Sequence, residues 1–296
     1  ERKKSRRRVY TQRAAKPNVS AAQGKKMIEL VGKIGSMALI DEKHKDIDYN
    51  KFAMIGHWLR PGTVWVTSGA VEIGRLDYIR RHGCEADGSG EERKADYSSQ
   101  GQAILMETYR RFIDPRLSVR QVLVEHAHFN NEVNRAHILS LLERASKQDA
   151  VPIVNYNDAV AVEELRKMEI SALDKAGKQH VELVDNDETA AQIACLTGAK
   201  TLLILTKLDG IFLDINDPSS LITEITGAKE EVLAKIEEYK THCRGASRAG
   251  ANGAFAKLEY IKPCVRAGIE VIIGSANHDI RNVLSGESPR TYIKGC

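Results

Sequence analysis

Short β-branched and aliphatic runs alternate along this chain with longer stretches whose apolar positions recur at helical spacing. That alternation predicts an α/β domain built on a mainly parallel sheet. The strand-like runs are Met27–Val31, Thr63–Thr67, Val119–Glu125, Val151–Asn155, Thr201–Thr206 and Glu270–Gly274. The amphipathic runs are Gly101–Ile113, Arg135–Lys147, Asp187–Leu196, Lys229–Tyr239 and Ala254–Ala267, with Pro263 expected to kink or stop the last. In Gly101–Ile113 the positions Ile104, Leu105, Tyr109 and Phe112 share one face. Two stretches break the rhythm. Gly83–Asp96, glycine-rich and charged, reads as a mobile surface loop, and Ala161–Val184 reads as an insert, either a lid or a short helical hairpin.

Four of the apolar runs end in turns of small and polar residues. They are Val31-Gly32-Lys33-Ile34-Gly35-Ser36, Thr67-Ser68-Gly69-Ala70, Asn155-Tyr156-Asn157-Asp158-Ala159-Val160 and Thr206-Lys207-Leu208-Asp209-Gly210. In an open α/β sheet such turns gather beyond the strand carboxyl ends and form the ligand crevice. A lysine, hydroxyls and carboxylates collected there suit a phosphorylated ligand. Neither G-x-x-x-x-G-K-[ST] nor a strand-following G-x-G-x-x-G occurs, so a phosphate site has to be assembled from separate lysines and glycine amides.

Composition narrows the class. The 296 residues are 42% hydrophobic and 28% charged, the balance of a globular protein with a large core. No run approaches the roughly 18 apolar residues of a membrane span, and no signal-peptide pattern follows the opening Glu1-Arg2-Lys3-Lys4. Five scattered cysteines without a C-x-x-C pair fit a reducing compartment, the cytoplasm. The formal charge of +4 is concentrated: residues 1–26 hold ten Lys or Arg against one acid. This stretch is expected to be a flexible basic tail, able to contact a polyanion or an acidic partner, ahead of one domain over residues 27–296.

Particular residues carry candidate chemistry. Lys33, between two glycines at a strand end, is suited to lie against a transferring phosphoryl group, with glycine amides approaching the same oxygens. Lys257 follows the flexible basic stretch Arg244–Gly253. Asp185-Asn186-Asp187 precedes a helix; one of the three serves as an N-cap, which leaves Asp187 to hold two lysines in register and Asn186 to bind a polar group. Asp158 either pairs with a substrate ammonium or caps its turn. His126 and His128 form an H-x-H at a strand end, a metal pair only if a third ligand joins them.

Taken in order, these turns resemble the amino-acid kinase family, nearest its glutamate 5-kinases. Val31–Ser36 is similar to that family's V-K-[IL]-G-[ST], Thr67–Val71 to [TS]-S-G-A-[IV], and Gln100-Gly101-Gln102, opening a helix, to V-G-Q. Val151–Val160 matches V-P-[IV]-[IV]-N-E-N-D-A-V but for one residue, Asp185–Asp187 matches D-N-D, and Lys257-Leu258 with Arg266–Ile269 matches K-L…R-A-G-[IV]. The resemblance implies a three-layer αβα sandwich and ATP-dependent phosphoryl transfer to a small carboxylate, best L-glutamate. Lys33, Asp187 and Lys257 would be catalytic. Ser68, Gly69, Asp158 and Asn186 would hold the acceptor. Lys33, Gly35, Thr206, Lys207, Ala251, Asn252, Gly253 and Lys257 would line the ATP site. Mg²⁺ would ride on the nucleotide rather than in a protein cage, and a homo-oligomer is expected. Other acceptors on the same fold, or a non-catalytic kinase-fold subunit, are the alternatives. Three departures stand out: Tyr156 replaces the glutamate of N-E-N-D, Lys207 replaces an aspartate, and the 161–184 insert is long. The carboxy-terminal RNA-binding-like module of many glutamate 5-kinases is not expected either.

Overall fold

A computed structural model describes residues 28–177, 180–183, 185–242 and 253–296. The basic tail, Met27, Cys243 and the Arg244–Asn252 stretch, with Ala251 and Asn252, lie outside the described residues. The chain opens with β1 (Leu30–Ile34), a hairpin of β2 (Ile40–Asp41) and β3 (Asp46–Ile47), then α1 (Tyr49–Trp58), β4 (Thr63–Thr67), α2 (Ala70–His82) and α3 (Gly90–Phe112). β5 (Ser118–Val124), α4 (His126–Asn130), α5 (Glu132–Lys147), β6 (Ala150–Tyr156), α6 (Glu163–Lys175) and α7 (Asn186–Thr197) follow. The last part holds β7 (Thr201–Thr206), β8 (Ile211–Phe212), β9 (Leu221–Ile222), β10 (Glu224–Gly227), α8 (Lys229–His242), α9 (Ala254–Tyr260), α10 (Lys262–Arg266), β11 (Glu270–Ser275), α11 (Ile280–Ser285) and β12 (Arg290–Gly295).

Eight strands form one sheet in the order β10-β12-β11-β7-β1-β4-β6-β5. It is parallel from β11 to β5, and β12 runs antiparallel to β11. The central strands are apolar on both faces because helices cover both. One core joins Val31, Val64 and Ile204 to Leu142 of α5, Ala190 of α7 and Ile236 of α8. The other joins Ile34, Trp65 and Leu205 to Phe52 of α1, Tyr109 of α3 and Val283 of α11. The result is the expected αβα sandwich. From β1 the chain moves outward to β4 and to the edge strand β5, steps back to place β6 between them, then crosses to place β7 on the other side of β1, so the strand order reverses there. Ligand crevices open at such switch points.

Several expectations need correction. Gly32 and Lys33 lie inside β1 rather than in a turn beyond it. Gly32 faces the core, where a Cβ would stand 2.2 Å from Trp65 Cζ3; it makes room for the indole. Residues 90–96 are helical, because Ser89 and Glu92 build a reciprocal capping box that starts α3 there and leaves only 83–89 as a loop. Gly101 therefore sits in mid-helix. A Cβ on it would lie 1.8 Å from Ala70 O, so it serves the close crossing of α2 and α3. Among its described residues the insert holds one helix, α6, and no helical hairpin. Its return is pinned where Asn130 Nδ2 donates to Val181 O and Val181 N donates to Asn130 Oδ1. Pro263 splits the last amphipathic run into α9 and α10, where it occupies a first-turn position that needs no N–H.

His126 and His128 start a short helix and do not share an extended face. His126 Nε2 pairs with Glu169 of α6 at 2.5 Å, and His128 Nδ1 accepts the Glu125 amide at 2.9 Å. One nitrogen of each ring is thus committed to a different partner, and His126 Nδ1 is buried without one among the described residues.

Candidate active site

Alternation along β1 puts Val31 and Lys33 on the face that carries α7, and Lys33 is the last residue but one of the strand. Its ammonium reaches the first turn of α7 and stands 2.6 Å from Asp187 Oδ1. From the other side, Lys257 of α9 brings its Nζ to 3.0 Å from Asp187 Oδ2. Three residues far apart in sequence thus meet on one carboxylate. Lys33 and Asp187 are buried, only 7% and 4% exposed, and a buried charge survives only when paired. Burial opposes the charge on Asp187, but the two ammonium groups outweigh it and hold its carboxyl at about 2.

The local sequence explains how Asp187 is presented. Asp185 is the N-cap of α7 and accepts from the Asp187 and Glu188 amides at 2.7 and 3.0 Å. Asp187 follows in the first turn, where the helix dipole favours a negative charge. Burial, and then the Asp187 charge beside it, push the Asp185 carboxyl upward. Two ammonium groups thus converge on one ionised carboxylate at a helix N-terminus. That is an environment for a phosphate group. Gly35 lies open beside it; a Cβ there would stand 3.8 Å from Lys33 Nζ.

On the β4–β6 side, polar side chains form a connected cluster. Asn186 Nδ2 donates to Ser68 Oγ at 3.1 Å and to Asn155 Oδ1 at 2.9 Å, while Asn186 Oδ1 accepts the Tyr156 amide at 3.1 Å. Asn155 in turn donates to Gln102 Oε1 at 2.9 Å, and Gln102 Nε2 is buried without a partner among the described residues. Gly69, with φ of 103°, makes the left-handed turn that sends the chain from Ser68 into α2. Asp158 is mostly buried and pairs with the exposed Lys94 of α3 at 2.8 Å. The Tyr156 ring is partly buried in the same region; burial first, with only a smaller counter-pull from Arg166, raises its hydroxyl to about 12. Arg166 belongs to α6, is buried, and grips Glu163 through Nε and Nη2 while Nη1 donates to Glu182 O.

On the β7 side the picture is looser. Thr206 Oγ1 bonds Leu208 N and O, both at 2.9 Å, closing its own turn. Lys207 is exposed and pairs with Glu42, in the β2–β3 hairpin, at 2.6 Å. Gly253 immediately precedes α9; its neighbours Ala251 and Asn252 lie outside the described residues. Lys33, Asp187, Lys257, Ser68, Gly69 and Asn186 are therefore brought together, Asp158 joins the same side, and Thr206 and Lys207 edge the other. Sequence reasoning missed Asn155 and Gln102 as members of the cluster. A buried asparagine ending an otherwise apolar strand was the signal available.

α9 is anchored from behind. Lys240 of α8, itself buried, pairs with Glu237 at 2.9 Å and with Glu259 of α9, and Lys262 pairs with Glu237 at 2.6 Å and Glu259 at 2.5 Å.

Comparison with known proteins agrees with this geometry. The family model described as the amino acid kinase family matches residues 28–275. Similar curated proteins include the glutamate 5-kinase of Gloeobacter violaceus, 29% identical over 276 residues (88% of this chain, 67% of that protein). Another is the glutamate 5-kinase of Halalkalibacterium halodurans, 29% identical over 237 residues (78% and 56%). A third, from Caldanaerobacter subterraneus, is 27% identical over 271 residues (87% and 64%), so the chain spans about two thirds or less of these relatives. Among solved structures, the Giardia lamblia carbamate kinase bound to AMP-PNP has a TM-score of 0.56 at 15% identity, covering 91% of this chain and 99% of that one. The UMP kinase of Bacillus anthracis has 0.51 at 11%, covering 90% and 96%. At those identities the likeness speaks for the fold alone.

Proposed function

The chain belongs to the amino acid kinase family, and from that premise we propose that it transfers the γ-phosphoryl group of ATP to the side-chain carboxylate of L-glutamate, releasing an acyl phosphate. The observation that carries the reading is Asp187, whose two oxygens hold the Lys33 and Lys257 ammonium groups at 2.6 and 3.0 Å. Phosphoryl transfer depends on positioning and on neutralising charge at the equatorial oxygens, and a pair of fixed lysines supplies both. Lys33 and Lys257 stabilise the group in flight; Asp187 holds them together against their mutual repulsion and aims them. Ser68, Gly69, Asp158 and Asn186 hold the acceptor on the β4–β6 side. Gly35, Thr206, Lys207 and the segment before α9 receive ATP on the β7 side.

The donor set also fits a nucleotide-borne Mg²⁺. Both Asp187 oxygens are committed to lysines, and no cluster of three or more metal-ligating side chains occurs among the described residues. The ion would arrive on the ATP phosphates and add further charge neutralisation there.

A second reading keeps the fold and changes the acceptor. Tyr156 occupies the place of a glutamate in N-E-N-D, and Asp158 already holds Lys94 at 2.8 Å. A phenol and a paired aspartate present less negative charge to an ammonium than two free carboxylates would. The test is to incubate the protein with Mg-ATP, hydroxylamine and a panel of amino acids, carbamate, UMP and phosphonates. Glutamate-dependent hydroxamate supports the leading reading. ADP release without hydroxamate redirects it to a non-carboxylate acceptor, and silence with every acceptor points to a non-catalytic subunit.

A further inference from the structure

Behind the acceptor side of the crevice lies a buried chain of hydrogen bonds that the proposed reaction does not use directly. Trp65 and Thr67 alternate onto the same face of β4, the face covered by α3. Tyr109 comes down from α3 between them and is fully buried. Trp65 Nε1 lies 3.0 Å from the Tyr109 hydroxyl, that hydroxyl lies 2.9 Å from Thr67 Oγ1, and Thr67 Oγ1 lies 3.0 Å from the Ser68 carbonyl.

Counting hydrogens fixes the direction of every link. An indole N–H can only donate and a carbonyl can only accept. Tyr109 therefore accepts from Trp65 and donates its single hydrogen to Thr67. Thr67 is left to donate to Ser68 O. No link can reverse, because the Thr67 hydroxyl has one hydrogen and the carbonyl has none. The chain starts at an indole that packs across β1 on Gly32, next to Lys33. It ends on the residue that begins the turn before α2. From the opposite side, Asn186 donates to Ser68 Oγ. Ser68 is held at both its carbonyl and its hydroxyl oxygen, and its own hydroxyl hydrogen has no acceptor among the described residues. That hydrogen is free for an acceptor carboxylate.

We propose that Tyr109 is a positioning residue for the acceptor, acting through the directed chain Trp65–Tyr109–Thr67–Ser68 to fix the Ser68 turn and leave the Ser68 hydroxyl as a donor to substrate. The proposal rests on the kinase reading above only for what Ser68 binds. That Tyr109 pins the turn is a separate physical claim, and the two are measured separately.

The variants are Tyr109→Phe, Thr67→Val and Thr67→Ser. Each is assayed for kcat, for acceptor KM and ATP KM with whichever acceptor the panel identifies, and for amide hydrogen exchange over Val66–Val71. Tyr109→Phe breaks the chain with the ring retained. Thr67→Val breaks it one link later with shape retained, so it stands in if Tyr109→Phe fails to fold. Thr67→Ser keeps the hydroxyl and should restore wild-type behaviour. Losing one hydrogen bond predicts an acceptor KM raised about fivefold or more in the two broken variants, with ATP KM within about twofold of wild type. Exchange over Val66–Val71 should accelerate by a similar factor, with β7 unchanged. Faster exchange with an unaltered acceptor KM would make Tyr109 a packing residue and overturn the proposal. Unaltered exchange in both broken variants overturns it as well. If the wild-type protein turns over no acceptor, the kinase reading fails, and the exchange comparison alone decides whether Tyr109 pins the turn.

Discussion

Replacing Asp187 by asparagine keeps the shape of the side chain and removes the charge that joins two lysines. Each ammonium now lies within 3.0 Å of a carboxylate oxygen, so the two stand no more than roughly 8 Å apart. At an effective dielectric of about 20 their mutual repulsion is about 2 kcal/mol, against attractions to the carboxylate of about 5 kcal/mol each. Desolvation offsets much of that attraction; breaking a buried pair by removing one partner costs about 3–5 kcal/mol in net terms. Asp187→Asn should therefore lower stability by about that amount. It should also lower kcat by about 10² to 10³, because the lysines separate and the phosphoryl group loses their convergent field. Thermal denaturation and ADP release measure the two effects. A double-mutant cycle with Lys33→Ala should show strong non-additivity, since the residues act as one unit. Wild-type turnover in Asp187→Asn, or strict additivity in the cycle, would refute the reasoning. The same pairing predicts acid sensitivity. The folded carboxyl sits at about 2, below its ordinary 3.8, so its contribution is fully present above pH 4 and disappears as pH falls from about 4 towards 2. Acid titration of Asp187→Asn should lack that step.

Three further outcomes follow from the site and its supports. Lys33→Ala and Lys257→Ala should each lower kcat by about 10² or more with little change in acceptor KM, as steady-state kinetics would show. Tyr156→Glu restores a carboxylate on the acceptor side and should lower the KM for glutamate; an unchanged KM for every acceptor would place Tyr156 outside the site. Gly101→Ala would put a Cβ 1.8 Å from the Ala70 carbonyl and 2.5 Å from Gly74 N, so α2 and α3 must separate. A loss of about 2 kcal/mol or more in denaturant titration is expected, against a near-neutral effect for Gly90→Ala, where no atom lies within 4 Å.

The parts of this structure that were legible in the sequence are those fixed by burial on both faces. β4 and β7 fall on their predicted bounds and β11 differs by one residue at one end, because fully covered parallel strands read as continuous apolar runs; β6, and β5 at the half-exposed edge, differ by one residue at each end. β1 was misplaced by three residues. Its second half is Gly32-Lys33-Ile34, and a glycine and a lysine look like an ending unless one knows that Trp65 needs the space and Asp187 neutralises the charge. The front of α3 was hidden by polar composition: Glu91, Glu92, Arg93 and Lys94 offer no apolar stripe, and the capping box was the signal to weigh instead. The site was legible as a set of motifs in order. What the chain could not disclose is which motif side chains are already committed to one another. Asn186 serves Ser68, Asn155 and Tyr156, and Tyr109 reads as one more core position of an amphipathic helix. Such relations are long-range and leave no periodicity behind.

The central place of the first strand has a consequence for how the protein is made. β1 is flanked by β4 and by β7, and β7 is encoded about 170 residues later. During synthesis from the amino terminus, β1, β4, β6 and β5 can pair as soon as Tyr156 has emerged. The other edge of β1 then stays bare until Thr201–Thr206 leaves the ribosome. At about 5–20 residues per second, the 45 or so intervening residues keep that edge open for roughly 2–9 seconds. An unpaired apolar edge is a template for intermolecular association. Lys33 lies on it, and until α7 arrives with Asp187 its unpaired charge discourages a second chain from adding there.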